Sequence, residues 1–336
     1  MRAMSGNCAV ILAAGEGKRM RSSKAKVLQE VLFKPMLDWV VDAVRAAGIE
    51  ELCVVTGHQR EQVESHLNGR VATVFQNERL GTGHAVMQAG EYLKAHAGGS
   101  CLVLCGDAPL FSAATIRAAG DVHHENALAA TVITAFTGEP TGYGRIVRDK
   151  KGLIREIVEE RDADEKTRAI KEINAGAYWF DVDLLLPTLT SLKNENSQGE
   201  YYLTDVPKLL SKAGKKVGAY VAPFEEIGGA NDRNQLCALN DIARKNILRS
   251  LMAAGVSIPF TDGVVVGPDV SVAADAVLLP GTILRGKTKV GAHSVIGPST
   301  VAVDAVIGEN CTVDQSRLNG VTVADNETVG PFEVRK

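Results

Sequence analysis

The chain has 336 residues, 45% of them hydrophobic and 23% charged, with a formal net charge of −3. That length accommodates two domains, the composition excludes a disordered chain, and the slightly acidic balance argues against a protein organised around a nucleic-acid backbone. No run approaches the roughly 18 uninterrupted apolar residues of a membrane span, and no convincing signal peptide opens the chain, so a cytoplasmic protein with small partners is expected, engaging neither nucleic acid nor membrane.

"CAVILAAG" reads as a strand and leads into the glycine loop "GEGKRM". "PMLDWVVDAVRAAG" then reads as a helix ending at Gly48, with Trp39 on its apolar face and expected in the core. "ELCVVTG", "VATVFQ" and "SCLVLCGD" read as strands, with "QREQVESHL" and "TGHAVMQAGEYLKAH" as helices between them. This alternation predicts a parallel, doubly wound sheet, in which ligands bind beyond the carboxyl ends of the strands. "GEGKRM" and "GDAPL" both fall there. His123 and His124 lie in a polar stretch and are expected at the surface.

From 128 to 222 the pattern is mixed, with β-rich "LAATVITAF", "GRIVRD", "GLIREIVEE" and "EINAGAYWF", read as an edge or inserted β region covering a ligand. "NQLCALNDIARKNILRSLMAAG" has the length of a connecting helix and closes on a glycine. Beyond it, Val266, Val272, Leu278, Leu284, Val290 and Ile296 recur every six residues. After a one-residue slip, Ile307 and Val313 resume the spacing, and Val323 and Val329 repeat it. A six-residue period predicts a β-helix whose triangular coils turn one aliphatic side chain per face inward, rather than a β-sandwich. The expected domains are therefore 1–233, a linking helix over 234–255, and the repeats over 256–336. The six cysteines form no C-x-x-C pair, and mostly buried thiols are expected.

The glycine loop concentrates Lys18, Arg19, Arg21, Lys24 and Lys26. Glycines admit an anion close to backbone N–H groups, and basic side chains neutralise it, so the loop reads as a phosphate site. A dinucleotide fingerprint would need Gly where Met20 stands, and a P-loop needs G-x-x-x-x-G-K-[ST]; neither fits. Asp107, in a turn with Gly106 and Pro109, reads either as a hard ligand suited to Mg²⁺ or as a turn-forming residue. Asn231 in "GGANDR" reads as the cap of the helix that follows.

The pattern L-x-x-G-x-G-x-R-M followed by Lys26 resembles the sugar-1-phosphate nucleotidyltransferases. With "RLGTGHA", "LCGDAPL", "TGYGRI", "IVEERDA", "EINAG", "QGEYYLTD" and the hexapeptide repeats in order, the chain resembles the bifunctional bacterial family that acetylates glucosamine-1-phosphate and uridylylates the product. The resemblance implies a Rossmann-like nucleotidyltransferase domain, a linking helix and a short left-handed parallel β-helix. It implies transfer of uridylyl from UTP to N-acetylglucosamine-1-phosphate, giving UDP-N-acetylglucosamine and pyrophosphate, with another sugar-1-phosphate or nucleoside triphosphate as the alternative.

By the same resemblance, Arg19 and Lys26 would hold the triphosphate, and Leu12, Ala14, Gly15, Gln76 and Gly81 would contact the nucleotide. Thr82, Gly144, Glu159, Asn174 and Asn231 would contact the substrate, with Asp107 and Asn231 on Mg²⁺. The acetyl-transfer site of the family uses coils beyond those in these 336 residues, so acetylation is not expected of them, while a homotrimer is. Three positions depart from many members: Lys18 stands for Thr, Ala25 for Pro and Cys105 for Tyr. If Ala25 has the conformation that proline takes, Ala25→Pro is expected to stabilise.

Overall fold

The computed structural model describes residues 6–336. They form two compact units, one taking the chain up to Gln29 with Pro35–Gln235, the other Glu30–Lys34 with Leu236–Lys336.

The first unit is built on strands β1 (Cys8–Ala13), β2 (Glu51–Thr56), β3 (Ala72–Phe75), β4 (Ser100–Cys105), β5 (Ala130–Phe136), β6 (Arg145–Arg148), β7 (Ile154–Val158), β8 (Glu172–Asp181) and β9 (Val217–Val221). They pair in the order β9-β5-β8-β4-β1-β2-β3, with β6 attached to β8 and β7 to β6. β1 shows why its sequence is an apolar run rather than an alternation. Ala9, Ile11 and Ala13 enter one hydrophobic core while Cys8 and Val10 enter the other, so both faces of the strand are covered. Parallel pairing sets Ile11 against Val54 on one side and Leu104 on the other.

The mixed segment, read as an edge or inserted region, instead places β5 and β8 inside the main sheet, with β8 antiparallel to both β4 and β5. The chain reaches β8 from the β6–β7 hairpin through a connection whose one helical turn, Glu165–Arg168, is too short for a crossover, so nothing obliges it to run parallel. A bulge between Asn174 and Ala177 then shifts its register on β5.

Helix α1 (Met36–Ala46) and α2 (Arg60–Leu67) fall where the periodicity places them, whereas the helix read from "TGHAVMQAGEYLKAH" divides at Ala89 into α3 (Thr82–Gln88) and a short turn of helix over Gly90–Lys94. Helix α4 (Ala113–Glu125) has no counterpart in the sequence reading. Ser112 caps it, its Oγ accepting from the Thr115 N–H at 3.1 Å. That helix overturns the surface assignment of His123, which is buried, shares a hydrogen bond with Thr131 Oγ1 at 3.1 Å and stacks on Trp179. Desolvation, with neighbouring His124 adding to it, pushes the imidazole of His123 down to about 4, so it stays neutral near pH 7. His124 is exposed as expected. Trp39 is only half-buried, and the tryptophan of the core is Trp179, its Nε1–H donating to Ile116 O at 3.2 Å.

Helix α5 (Arg233–Ala253), which belongs to the second unit from Leu236 on, buries Leu239, Ala243 and Leu248. The repeats fold into three stacks of short parallel strands. Val266, Leu284, Ala302 and Leu318 stack in one, Val272, Val290, Ile307 and Val323 in the second, Leu278, Ile296, Val313 and Val329 in the third. This is the arrangement of a left-handed parallel β-helix of hexapeptide repeats. Ala302 and Leu318 occupy inward positions that the sequence reading did not name: Ala302 keeps the six-residue step from Ile296, and five-residue steps precede Ile307, Leu318 and Val323. Thr282 Oγ1 and Thr300 Oγ1 donate to the carbonyls of Ile296 and Val313, which satisfies hydroxyls buried inside the coil. Of the cysteines, Cys8, Cys53, Cys101 and Cys311 are buried, Cys105 is half-buried and Cys237 exposed.

Candidate active site

A cavity of about 500 Å³ opens in the first unit at the carboxyl ends of β1 and β4. Leu12, Ala14, Gly15 and Lys26 line it from the glycine loop, Gln76, Gly81 and Thr82 from the segment entering α3, and Cys105 and Asp107 from the turn after β4. Its shape depends on glycine at two points. Gly17 has φ +64, and a Cβ there would lie 2.8 Å from Lys26 Cβ, so the loop closes directly on the lysine stem. Gly81 has φ +104, and a Cβ would lie 2.6 Å from the Tyr201 carbonyl oxygen.

Lys26 Nζ donates to Asp107 Oδ2 and, at 3.2 Å, to Asn231 Oδ1. The cap of α5 is made by Asp232, whose Oδ1 accepts from the Gln235 N–H at 2.9 Å, which leaves the Asn231 side chain to face the lysine. Asp107 and Asn231 thus present two hard oxygens to one cationic atom. Among the described residues no group of three His, Cys, Asp or Glu could hold a metal ion. A cation here would draw on one carboxylate and one amide, a donor set that fits Mg²⁺, which fills most of its shell with water and phosphate oxygens.

Gln76 is buried, and its Nε2 donates to Gly81 O at 3.2 Å and approaches His84 Nδ1 at 3.0 Å. Thr82 Oγ1 accepts from the Leu203 N–H at 3.1 Å, pinning the start of α3 to the "YYLTD" segment. Arg19 stands apart: the turn Lys18–Met20 buries Met20, leaves Arg19 exposed and keeps it out of the cavity lining.

Gly144, Glu159 and Asn174 form one cluster. A Cβ at Gly144 would lie 3.5 Å from both Asn174 Cβ and Glu159 Oε1, and Asn174 N–H donates to Gly144 O at 2.9 Å. Asn174 Nδ2 donates to Tyr178 Oη at 2.7 Å, and its Oδ1 accepts from Gly176 N–H, which shapes the bulge. Cys105 Sγ contacts Gly176 O at 3.9 Å, linking the bulge to the cavity wall. Glu159 is half-buried and accepts from Thr204 Oγ1 at 2.9 Å rather than standing on a solvated strand edge. Burial raises its carboxyl, against the Thr204 hydrogen bond and with help from Asp162 and Asp205. The Cys105 thiol is pushed up to about 12 by burial and the Asp107 charge, so it stays protonated and serves as a wall, not a nucleophile. Glu16, Arg79 and Glu200 also line the cavity and were missed. The only signal for them was adjacency: Glu16 lies between two loop glycines, Arg79 begins "RLGTGHA", and Glu200 lies in "QGEYYLTD".

The glycine loop, the Lys26–Asp107 pair and the buried Gln76 amide thus meet at the carboxyl ends of strands in a doubly wound sheet. The nucleotidyl transferase family model matches residues 8–232. Relatives called bifunctional protein GlmU are 44% identical over 96% of this chain and 70% of theirs in Caldanaerobacter subterraneus subsp. tengcongensis, and 46% over 96% and 71% in Geobacillus sp. (strain WCH70). The one from Thermoanaerobacter pseudethanolicus is 42% identical over 98% of this chain and 72% of its own. The chain belongs to the GlmU family of nucleotidyl transferases.

Proposed function

We propose that the first unit transfers uridylyl from UTP to N-acetylglucosamine-1-phosphate, giving UDP-N-acetylglucosamine and pyrophosphate. The observation that carries this reading is the convergence of the glycine loop, the Gln76–Thr82 segment and the Asp107 turn on one cavity. A phosphate oxygen of the sugar phosphate attacks the α-phosphorus of UTP, the bond from that phosphorus to the bridging oxygen breaks, and pyrophosphate leaves with the electron pair. The nucleophile is already an anion at neutral pH, so positioning and charge stabilisation suffice without a general base.

Gln76 and the Gly81 backbone would hold the uracil edge, Leu12, Ala14 and Gly15 would bring the loop backbone to the nucleotide, and Lys26 would turn from Asp107 to the phosphates. Asp107 and Asn231 would hold Mg²⁺, which would neutralise phosphate charge and favour departure of pyrophosphate. Thr82, Gly144, Glu159 and Asn174 would contact the sugar. Arg19 would have to swing inward to reach the triphosphate. The chemistry would lie within 1–233, with 234–255 as a link and 256–336 as a repeat unit that assembles as a trimer, in the cytoplasm. A second reading, a different sugar-1-phosphate, is favoured by Cys105, whose thiol offers the cavity only a weak donor.

Pyrophosphate release measured with UTP and N-acetylglucosamine-1-phosphate, with and without Mg²⁺, is expected to require all three. A faster rate with another sugar phosphate than with N-acetylglucosamine-1-phosphate would favour the second reading, and no release with any of them would overturn both.

A further inference from the structure

Within the cavity, one charge pair has no part in the reaction as assigned so far. Arg79 Nη1 donates to Glu16 Oε2 at 2.5 Å, and Lys18 Nζ lies 3.3 Å from the same oxygen. Glu16 and Arg79 come from two loops 63 residues apart in the chain, and both line the cavity. Glu16 stands between Gly15 and Gly17 on the loop that admits phosphate. Arg79 opens the segment that carries Gly81.

The pair is weakly held. The side chains are 49% and 29% exposed, and ion pairs that solvent reaches in this way contribute little to stability. A polyphosphate offers a guanidinium several anionic oxygens in a geometry that allows two parallel hydrogen bonds, a stronger arrangement than a single carboxylate oxygen. If Arg79 leaves, Glu16 keeps Lys18 and is not stranded.

We propose that Arg79 is a further phosphate-binding residue of the nucleotide site, and that the Glu16 carboxylate competes with the nucleoside triphosphate for it. The bridge opens when the nucleotide enters and Arg79 passes to a phosphate. This rests on the reading of the cavity as a nucleotide site. It makes the site selective for ligands with enough negative charge to displace Glu16, so a nucleoside monophosphate gains less from Arg79 than a triphosphate does.

The test is calorimetric titration of the full chain with UTP, which requires no turnover, with folding checked by circular dichroism. Glu16→Gln is expected to tighten UTP binding about fivefold and Arg79→Gln to weaken it about tenfold, with Arg79→Lys in between. In Arg79→Gln, adding Glu16→Gln is expected to change affinity much less than it does in the parent, since the competition has lost its object. Weaker binding in Glu16→Gln would mean that the bridge persists as a strut in the complex and would overturn the proposal. So would an equal effect of Glu16→Gln in both backgrounds, which marks simple charge repulsion, or UTP binding that neither variant alters. Failure of the folded parent to bind UTP would instead overturn the reading of the cavity itself.

Discussion

The two units of this chain solve their folding problem with different kinds of information. In the β-helix unit each inward side chain stacks on the equivalent residue of the next coil, as Leu284 on Ala302 and Ala302 on Leu318, so a residue's neighbours follow from its position in the repeat. In the nucleotidyltransferase unit the contacts that matter join residues with no periodic relation: Lys26 meets Asp107 and Asn231, and Gly144 meets Asn174 and Glu159. The first kind of structure tolerates little charge inside and provides a scaffold. The second concentrates charge in a cavity and provides chemistry.

The sharpest way to break that contrast is at Asp107. Asp107→Ala removes the carboxylate of the paired oxygens, and turnover is expected to fall on the order of a hundredfold or more while the melting temperature changes little. Near-parental rates at limiting Mg²⁺ would remove Asp107 from the chemistry and leave the cavity as a mere packing feature.

In the repeat unit the expected loss is of stability. Leu284 is fully buried in the coil, and Leu284→Ala is expected to cost about 2–5 kcal/mol, read as faster hydrogen exchange over 256–336. UTP affinity is expected to hold. A parallel loss of UTP binding would show that the two kinds of region are not separable.

Glu159 mixes the two roles. Burial raises its carboxyl above the ordinary range, so ionising it costs the folded state more than the unfolded one. Its stability contribution is undiminished below the ordinary carboxylate range and falls as pH rises through the window up to the raised folded value. Glu159→Gln removes the charge and still offers Thr204 Oγ1 an acceptor, so it should melt higher than the parent near pH 8, with the difference gone near pH 4. The same variant should raise the KM for the sugar phosphate. A parent that melts higher at both pH values would show that the carboxylate is structural.

The smallest effect concerns Ala25. Its φ of −52 is within proline's reach, as the sequence comparison expects, yet its N–H donates to Gln62 Oε1 at 3.0 Å. Ala25→Pro gains about 0.4–1 kcal/mol by restricting the unfolded chain but loses a partly buried hydrogen bond of about 0.5–1.5 kcal/mol. The expected net change is a slight destabilisation, in place of the gain that the sequence alone predicts. A clear rise in melting temperature would show that Gln62 finds another partner.

The sequence by itself determined the repeat unit almost completely, and with it the strands and loop that begin the first unit. Hexapeptide spacing and buried-strand runs are local signals, and their consequences are local. Part of the cavity lining was also legible, because Gly15, Gln76, Gly81 and Asp107 sit in recognisable short motifs, whereas Glu16, Arg79 and Glu200 were not. Only the tertiary structure decided which of them meet. Arg19 and Lys26 are seven residues apart and look equivalent in the sequence; burial of Met20 turns Arg19 to solvent, while closure of Gly17 on the Lys26 stem holds that lysine against Asp107. His123 looked polar until α4 laid it on Trp179, and the antiparallel course of β8 could not be read from a strand whose direction depends on the hairpin before it. The physical reason is the same in each case: charge pairing, burial and strand direction are set by partners distant in the chain, and a single sequence does not print their distances.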